Sequence, residues 1–204
     1  MGIHAIVWDV GGVLERTEDM QPRMTLAKRI GLPVFELEKI IFGNDDKYRV
    51  QLGEIDMADH QRNVAKKLDL PESTIENVFS EFFAGDVLDR ELVKQILNLK
   101  QNYCSAIISN YAKVLRNKIT DIWKIDDAFH YLICSAEVGL MKPNLEIYQL
   151  ALEKIGFAPH ETIFIDDFVE NIEGAENIGM QGILFKNREQ ALADLGKLLE
   201  TSKI

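Results

Sequence analysis

Hydrophobic and polar positions follow two textures along this chain of 204 residues. From Glu15 to about Gly85, apolar residues recur at helical spacing and no run reads as a strand. Val34, Leu37, Ile40 and Ile41 fall on one helical face. Ile75, Val78, Phe79, Phe82 and Phe83 form a stronger stripe, opened by Pro71 and closed by Gly85. Between them, Met57 to Leu68 predicts a further helix with Asp56 as its cap. These stripes are the inner faces expected of a small helical bundle.

After Gly85 the chain alternates between the two periods. Helices are expected over Asp89 to Lys100, Tyr111 to Asp121, Leu145 to Ile155, Val169 to Ile178 and Glu189 to Glu200. Apolar runs predict strands over Ser105 to Ile108, Tyr131 to Cys134, Thr162 to Ile165 and Gly182 to Phe185. A further apolar run begins at Ile3 and delivers Asp9 before Gly11 and Gly12 bend the chain. Short apolar strands separated by helices build a parallel, doubly wound sheet. The fold class is therefore α/β: a Rossmann-like core from residues 1–14 and 86–204, with a small all-helical cap from residues 15–85. The cap follows the first strand, so its natural place is over the carboxyl ends of the strands. No internal repeat, low-complexity segment or flexible linker interrupts this plan.

Composition narrows the function more than the fold. A formal net charge of −10 disfavours nucleic acid and anionic membranes as partners through long-range repulsion. It does not bar a small anionic substrate that a metal ion or a local lysine neutralises. The two cysteines, Cys104 and Cys134, lie in apolar strand-like runs and are expected to be reduced, buried thiols. No secretory, myristoylation or transmembrane pattern is legible, and a cytoplasmic location is expected. His4, His60, His130 and His160 are scattered without metal-ligand spacing and read as structural. Nothing along the chain sets an oligomeric state.

The candidate chemistry sits where predicted strands end. Open α/β sheets bind ligands at the carboxyl ends of their strands, and Asp9 lies there beside two glycines. A carboxylate so placed is a candidate nucleophile, although alone it reads equally as a helix cap. The second strand ends in Ser109-Asn110, a hydroxyl and an amide beside a helix start, where phosphate is attracted or an ordinary cap is made. Lys142 precedes Pro143 in a loop after the third strand, either as a solvated charge or as an inward cation. The fourth strand ends in Asp166-Asp167, adjacent carboxylates that repel each other and call for a cation or strong donors. Oxygen ligands of this kind suit Mg²⁺. Asn171, four residues past Asp167, is placed to brace that loop.

The set Asp9-Val10-Gly11-Gly12-Val13-Leu14, Ser109-Asn110, Lys142-Pro143 and Asp166-Asp167-Phe168-Val169-Glu170-Asn171 resembles the motifs of the haloacid dehalogenase superfamily. They stand in the family's order and spacing, with its helical cap inserted between the first and second. Gly53-Glu54-Ile55 and the stretch Ile165 to Ala175 look most similar to the sugar-phosphate phosphatase branch. The resemblance implies that Asp9 attacks a phosphate ester and forms an aspartyl-phosphate that water later hydrolyses. It implies Mg²⁺ held by Asp9, the Gly11 carbonyl and Asp167, with Asp166 one layer out. Ser109, Asn110, Gly12 and Lys142 would hold the phosphate of a small phosphorylated substrate.

One position departs from that pattern. Most phosphatases of the superfamily carry an Asp two residues after the nucleophile, acting as general acid; here Gly11 stands there. Losing a positioned acid costs roughly 10²–10⁴-fold in rate. Either the leaving group is intrinsically good, as in a sugar 1-phosphate or acyl phosphate, or another acid serves, with Glu15, Glu18 and Asp19 nearby in sequence. A third reading is a slow or silent family member that binds a phosphorylated ligand or partner. Dehalogenation is a rival because halide leaves without a proton, but that chemistry uses no metal and leaves Asp166-Asp167 unexplained. Specificity is expected from the cap, with Asn44, Lys47, Tyr48 and Arg49 as a polar loop between its helices.

Overall fold

The structure, a computed structural model, describes residues 2–42 and 45–201. Its centre is a parallel five-stranded sheet in the order β5-β4-β1-β6-β7. The strands are β1 (Ala5–Trp8), β4 (Cys104–Ser109), β5 (Tyr131–Cys134), β6 (Thr162–Asp166) and β7 (Gln181–Leu184). Each predicted strand forms within a residue or two of the expected limits. Side chains alternate across the sheet, so one strand feeds two cores. Ile6 and Trp8 of β1, Ile107 of β4 and Ile163 and Ile165 of β6 face α6 (Arg90–Leu99) and α11 (Arg188–Thr201). Ala5, Val7, Ala106, Ile108 and Phe164 face α9 (Leu145–Ile155) and α10 (Val169–Asn177). Burial on both faces is why these strands read as continuous apolar runs.

The cap contains α1 (Gln21–Ile30), α2 (Val34–Ile41), α3 (Asp45–Gln51), α4 (Met57–Lys67) and α5 (Ile75–Phe82). Asp56 caps α4, its side chain accepting from Asp59 N at 2.7 Å. Leu37, Ile41, Val64, Ile75, Val78, Phe79 and Phe82 join Leu26 in a separate cap core, as their spacing predicted. Phe83 lies at the edge of that core, stacked edge-on against Phe42. The helix expected as a loop is α3: Lys47, Tyr48 and Arg49 lie on it, while Asn44 falls outside the described residues. His60 packs in the cap, its Nε2 2.8 Å from the Ile41 carbonyl.

Two departures from the sequence reading matter for the site. A two-stranded antiparallel ribbon, β2 (Glu15–Thr17) with β3 (Asp86–Leu88), stands where no strand was expected. It straddles the expected boundaries, carrying both chain crossings between core and cap. Tyr111 to Val114 is irregular where a helix was expected; the helical part, α7, spans Leu115–Asn117 and widens into a π turn over Lys118–Trp123. The ribbon is braced from both sides. Buried Arg23 of α1 donates to Thr17 Oγ1 at 2.6 Å, Asp86 Oδ1 at 2.9 Å and Glu38 Oε1 at 3.0 Å. On the core side, Asp89 accepts from Arg16 at 2.8 Å and from Arg188 at 2.7 Å. It also caps α6 through Leu92 N, and these donors outweigh the desolvation that would raise its pKa, leaving the carboxyl below the ordinary range. No helix among the described residues is long and apolar enough to cross a membrane.

Candidate active site

Asp9 leaves β1 at its carboxyl end, its backbone N donating to the Ile165 carbonyl of the neighbouring strand at 2.9 Å. β1 and β6 run parallel in register, so Asp9 and Asp166 emerge side by side. One oxygen each from Asp9, Asp166 and Asp167 falls within 4.8 Å of the others. Like charges this close demand compensation.

Part of it comes from Lys142, only 1% exposed, whose Nζ lies 2.8 Å from Asp9 Oδ1 and donates to Asp166 Oδ2 at 2.5 Å. The inward reading of Lys142 is the one the fold adopts. Its loop follows α8 (Ser135–Val138) and is docked under α10 at Gly174, where an added Cβ would meet the Pro143 carbonyl at 2.7 Å. Asn110 fixes it from the other side: Asn110 Oδ1 accepts from Lys142 N, and Asn110 Nδ2 donates to the Lys142 carbonyl, both at 2.8 Å. The Asn110 side chain therefore holds the lysine loop rather than standing free for a ligand. Ser109, buried at the end of β4, adjoins it.

The two adjacent aspartates have separate duties. Asp166 is fully buried and saturated, accepting from Lys142, from Phe168 N at 2.8 Å and from Asn171 Nδ2 at 2.9 and 3.0 Å. Asn171 is in turn set by α10, where the Tyr148 hydroxyl donates to its carbonyl at 2.7 Å. Asp167 has no such shell, and its buried Oδ1 has no hydrogen-bond partner. Gly12 makes room for it: its φ is +80°, and an added Cβ would lie 2.1 Å from Asp167 Oδ2. A side chain at residue 12 would thus face both strain and a carboxylate.

Burial and neighbouring charge act together on these groups. Desolvation pushes the Asp9 carboxyl up to about 7, with Lys142 pulling down and Asp166 pushing further up. Desolvation raises Asp167 to about 6, and Asp166 adds to it. For Lys142 burial alone would lower the pKa, but Asp9 and Asp166 outweigh it and raise it. A second cation beside Asp9 and Asp167 is what would relieve the remaining strain of charge. An unpartnered buried carboxylate oxygen and an open glycine turn fit a divalent, oxygen-seeking metal, with Asp9 and Asp167 as its side-chain ligands.

The alternative acids near Gly11 are already engaged. Glu15 accepts from Lys118 Nζ at 2.6 Å and from the Tyr111 hydroxyl at 3.2 Å. Glu18 lies 3.6 Å from Arg16, and Asp19 Oδ1 accepts from Gln21 N at 2.8 Å. At Gly11 itself an added Cβ would meet nothing within 4 Å. Of the cap residues singled out in the sequence, Lys47 and Tyr48 are exposed and Arg49 pairs with Asp46 and Glu54. One cap side chain that reaches the core was not foreseen: Gln51 Nε2 donates to the Asn110 carbonyl at 3.0 Å. No local pattern marks it, because its partner is a backbone atom 59 residues away.

A family model for haloacid dehalogenase-like hydrolases matches residues 3–179. The chain belongs to that hydrolase family. Among curated relatives, mouse bifunctional epoxide hydrolase 2 is 30% identical over 138 residues, covering 65% of this chain and 25% of that protein. The chain thus spans about a quarter of the length of that relative. The sesquiterpene phosphatase astK of Aspergillus oryzae is 26% identical over 180 residues, 88% of each chain. A HAD family enzyme of Bacteroides thetaiotaomicron, solved with magnesium and inorganic phosphate, shares the fold with a TM-score of 0.74 at 24% identity. That match covers 91% of this chain and 95% of the other.

Proposed function

We propose that this chain is a Mg²⁺-dependent phosphatase acting on a small phosphate monoester, most simply a sugar phosphate activated at its anomeric oxygen. The observation that carries the reading is the division of labour among the carboxylates. Asp166 is spent on Lys142, Phe168 N and Asn171, Asp9 meets Lys142 through Oδ1 alone, and Asp167 Oδ1 has no partner, with one oxygen of each carboxylate within 4.8 Å of the others. A metal-free dehalogenase would leave the buried oxygen of Asp167 without a purpose. The relatives support the choice, since one is named a phosphatase and one was solved with magnesium and phosphate.

In this reading Asp9, the Gly11 carbonyl and Asp167 hold Mg²⁺, which supplies positive charge against the phosphoryl oxygens. An Asp9 carboxylate oxygen attacks phosphorus, the bond to the leaving oxygen breaks, and an aspartyl-phosphate forms. Water then attacks the same phosphorus, the Asp9–phosphorus bond breaks, and inorganic phosphate leaves with Asp9 restored. Lys142 stays charged between Asp9 and Asp166 and screens the approach of anion to anion. Ser109, the Asn110 backbone and the turn at Gly12 complete the phosphate pocket.

A panel of glucose 1-phosphate, glucose 6-phosphate, acetyl phosphate and an aryl phosphate, assayed with Mg²⁺ and with chelator, tests this. Turnover that disappears with chelator is the expected result. Absence of turnover on all four, with Mg²⁺ bound, favours the silent binder instead.

The empty space at Gly11 bears on the leaving group. With no acid beside it, the departing oxygen must leave unassisted, which favours anomeric, acyl and aryl oxygens over a simple alcohol. An added Cβ at residue 11 meets nothing, and Gly11→Asp is expected to raise turnover of glucose 6-phosphate relative to the aryl phosphate by about tenfold or more, out of the roughly 10²–10⁴ that a positioned acid contributes. An unchanged ratio between the two substrates would show that proton delivery is not what limits the alcohol ester.

A further inference from the structure

Away from the ribbon, the end of α3 stands on the core. Gln51, the last residue of α3, donates through Nε2 to the Asn110 carbonyl, and the chain then turns at Gly53. Gly53 has φ +74°, and an added Cβ there would lie 2.2 Å from the Ala136 carbonyl, so residues 51–53 are seated against the loop that follows β4 and against α8 after β5. The Asn110 carbonyl can only accept, which fixes the Gln51 amide with its nitrogen toward Asn110 and its oxygen away. That oxygen, Oε1, is buried and has no hydrogen-bond partner. Buried acceptors are almost always satisfied, because leaving one unpaired is costly.

The position of this orphan is informative. Asn110 adjoins Ser109 and holds Lys142 by both backbone atoms, and Lys142 reaches Asp9. Gln51 meets the core beside Ser109 at the carboxyl end of β4, the strand next to the one that carries Asp9, so it lies on the side of the sheet where a substrate held at Asp9 would stand. We propose that Gln51 Oε1 accepts a hydrogen bond from a hydroxyl on the leaving group, making Gln51 a specificity-determining residue for hydroxyl-bearing phosphate esters. A neutral amide oxygen suits an uncharged hydroxyl; an ammonium group would call for a free carboxylate, and Asp46 of α3 is taken up by Arg49 and Lys67. The inference rests on the phosphatase reading of the Asp9 site.

Gln51→Met keeps the length of the side chain and removes its acceptor; Gln51→Glu keeps acceptor oxygens and removes the donor. The quantity to read is the ratio of kcat/KM on glucose 1-phosphate to kcat/KM on 4-nitrophenyl phosphate, which has no hydroxyl to offer. Gln51→Met is expected to lower this ratio about tenfold, the worth of roughly one hydrogen bond, and Gln51→Glu to keep it near the parent value. The ratio cancels any loss that both substrates share through a loosened cap. Equal losses on both substrates, or an unchanged ratio in Gln51→Met, overturn the assignment and reduce Gln51 to a docking contact. A parent enzyme that turns over the aryl ester but rejects hydroxyl-bearing esters overturns it too, while leaving the phosphatase reading intact. A parent enzyme inert toward every phosphate ester of the panel removes that reading, and this inference with it.

Discussion

Asp9→Asn is expected to abolish turnover of every phosphate ester the parent hydrolyses, by roughly 10⁴-fold or more, as removal of a covalent nucleophile does elsewhere. The substitution changes little besides chemistry. An amide has the same shape, the Asp9 backbone bond to Ile165 is untouched, and Lys142 keeps its bond to Asp166. What disappears is an anionic oxygen that can form a bond to phosphorus. The variant should therefore melt close to the parent, since one buried charge with a desolvation penalty is gone. Thermal melts beside initial rates in saturating Mg²⁺ separate the two effects. Residual activity above about a tenth of the parent would mean that another group attacks phosphorus, and the covalent route would have to be given up.

Lys142→Met carries the next largest effect, and here fold and activity fall together. The ammonium is the only cation that the described residues place between Asp9 and Asp166, and it is fully buried with Asp166. Removing one partner of a buried ion pair typically costs about 3–5 kcal/mol, because the remaining charge stays desolvated. For a chain of this size that corresponds to a fall in Tm of roughly 10 °C. Activity should drop about 10³-fold, the scale of a lost charge stabiliser at a reacting oxyanion. Lys142→Met combined with Asp166→Asn distinguishes the two losses. The double variant should recover much of the Tm and none of the rate. If the single variant melts like the parent, the ion pair is not what holds this loop.

The strand positions and the identity of the acidic cluster were legible because both depend on short-range information. Runs such as Ile163 to Ile165 are buried on two faces, so they are apolar without interruption, and whatever follows them is at a strand end by construction. Asp9 and Asp166-Asp167 could be placed together on that basis alone. The ribbon was not legible. Glu15-Arg16-Thr17 is three residues long, partly exposed and polar, and its partner Asp86-Val87-Leu88 lies some seventy positions away. No periodicity exists in three residues. The Tyr111 to Val114 stretch misled in the opposite way: Tyr111 N is drawn to Ser135 Oγ and Cys134 Sγ to the Tyr111 carbonyl, so tertiary bonds replace the helical ones that composition favoured. Roles within the site divided along the same line. That Asp167 keeps an open oxygen while Asp166 does not depends on Asn171, Phe168 and Lys142 converging on one carboxylate, which spacing along the chain does not reveal.

The braced ribbon sets how this molecule can open. Two chain crossings that are hydrogen-bonded to each other, gripped by Arg23 above and by Asp89 with its two arginines below, resist torsion far better than two separate strings would. They behave as a strap hinge and not as a swivel. The easy displacement of the cap is then a rocking about the ribbon, and the contact it would part is the Gln51–Gly53 foot on the Asn110 loop. If the cap rocks in that way, entry to Asp9 and release of that foot become one movement, and the doorway that admits a substrate is the one whose sill Gln51 would form.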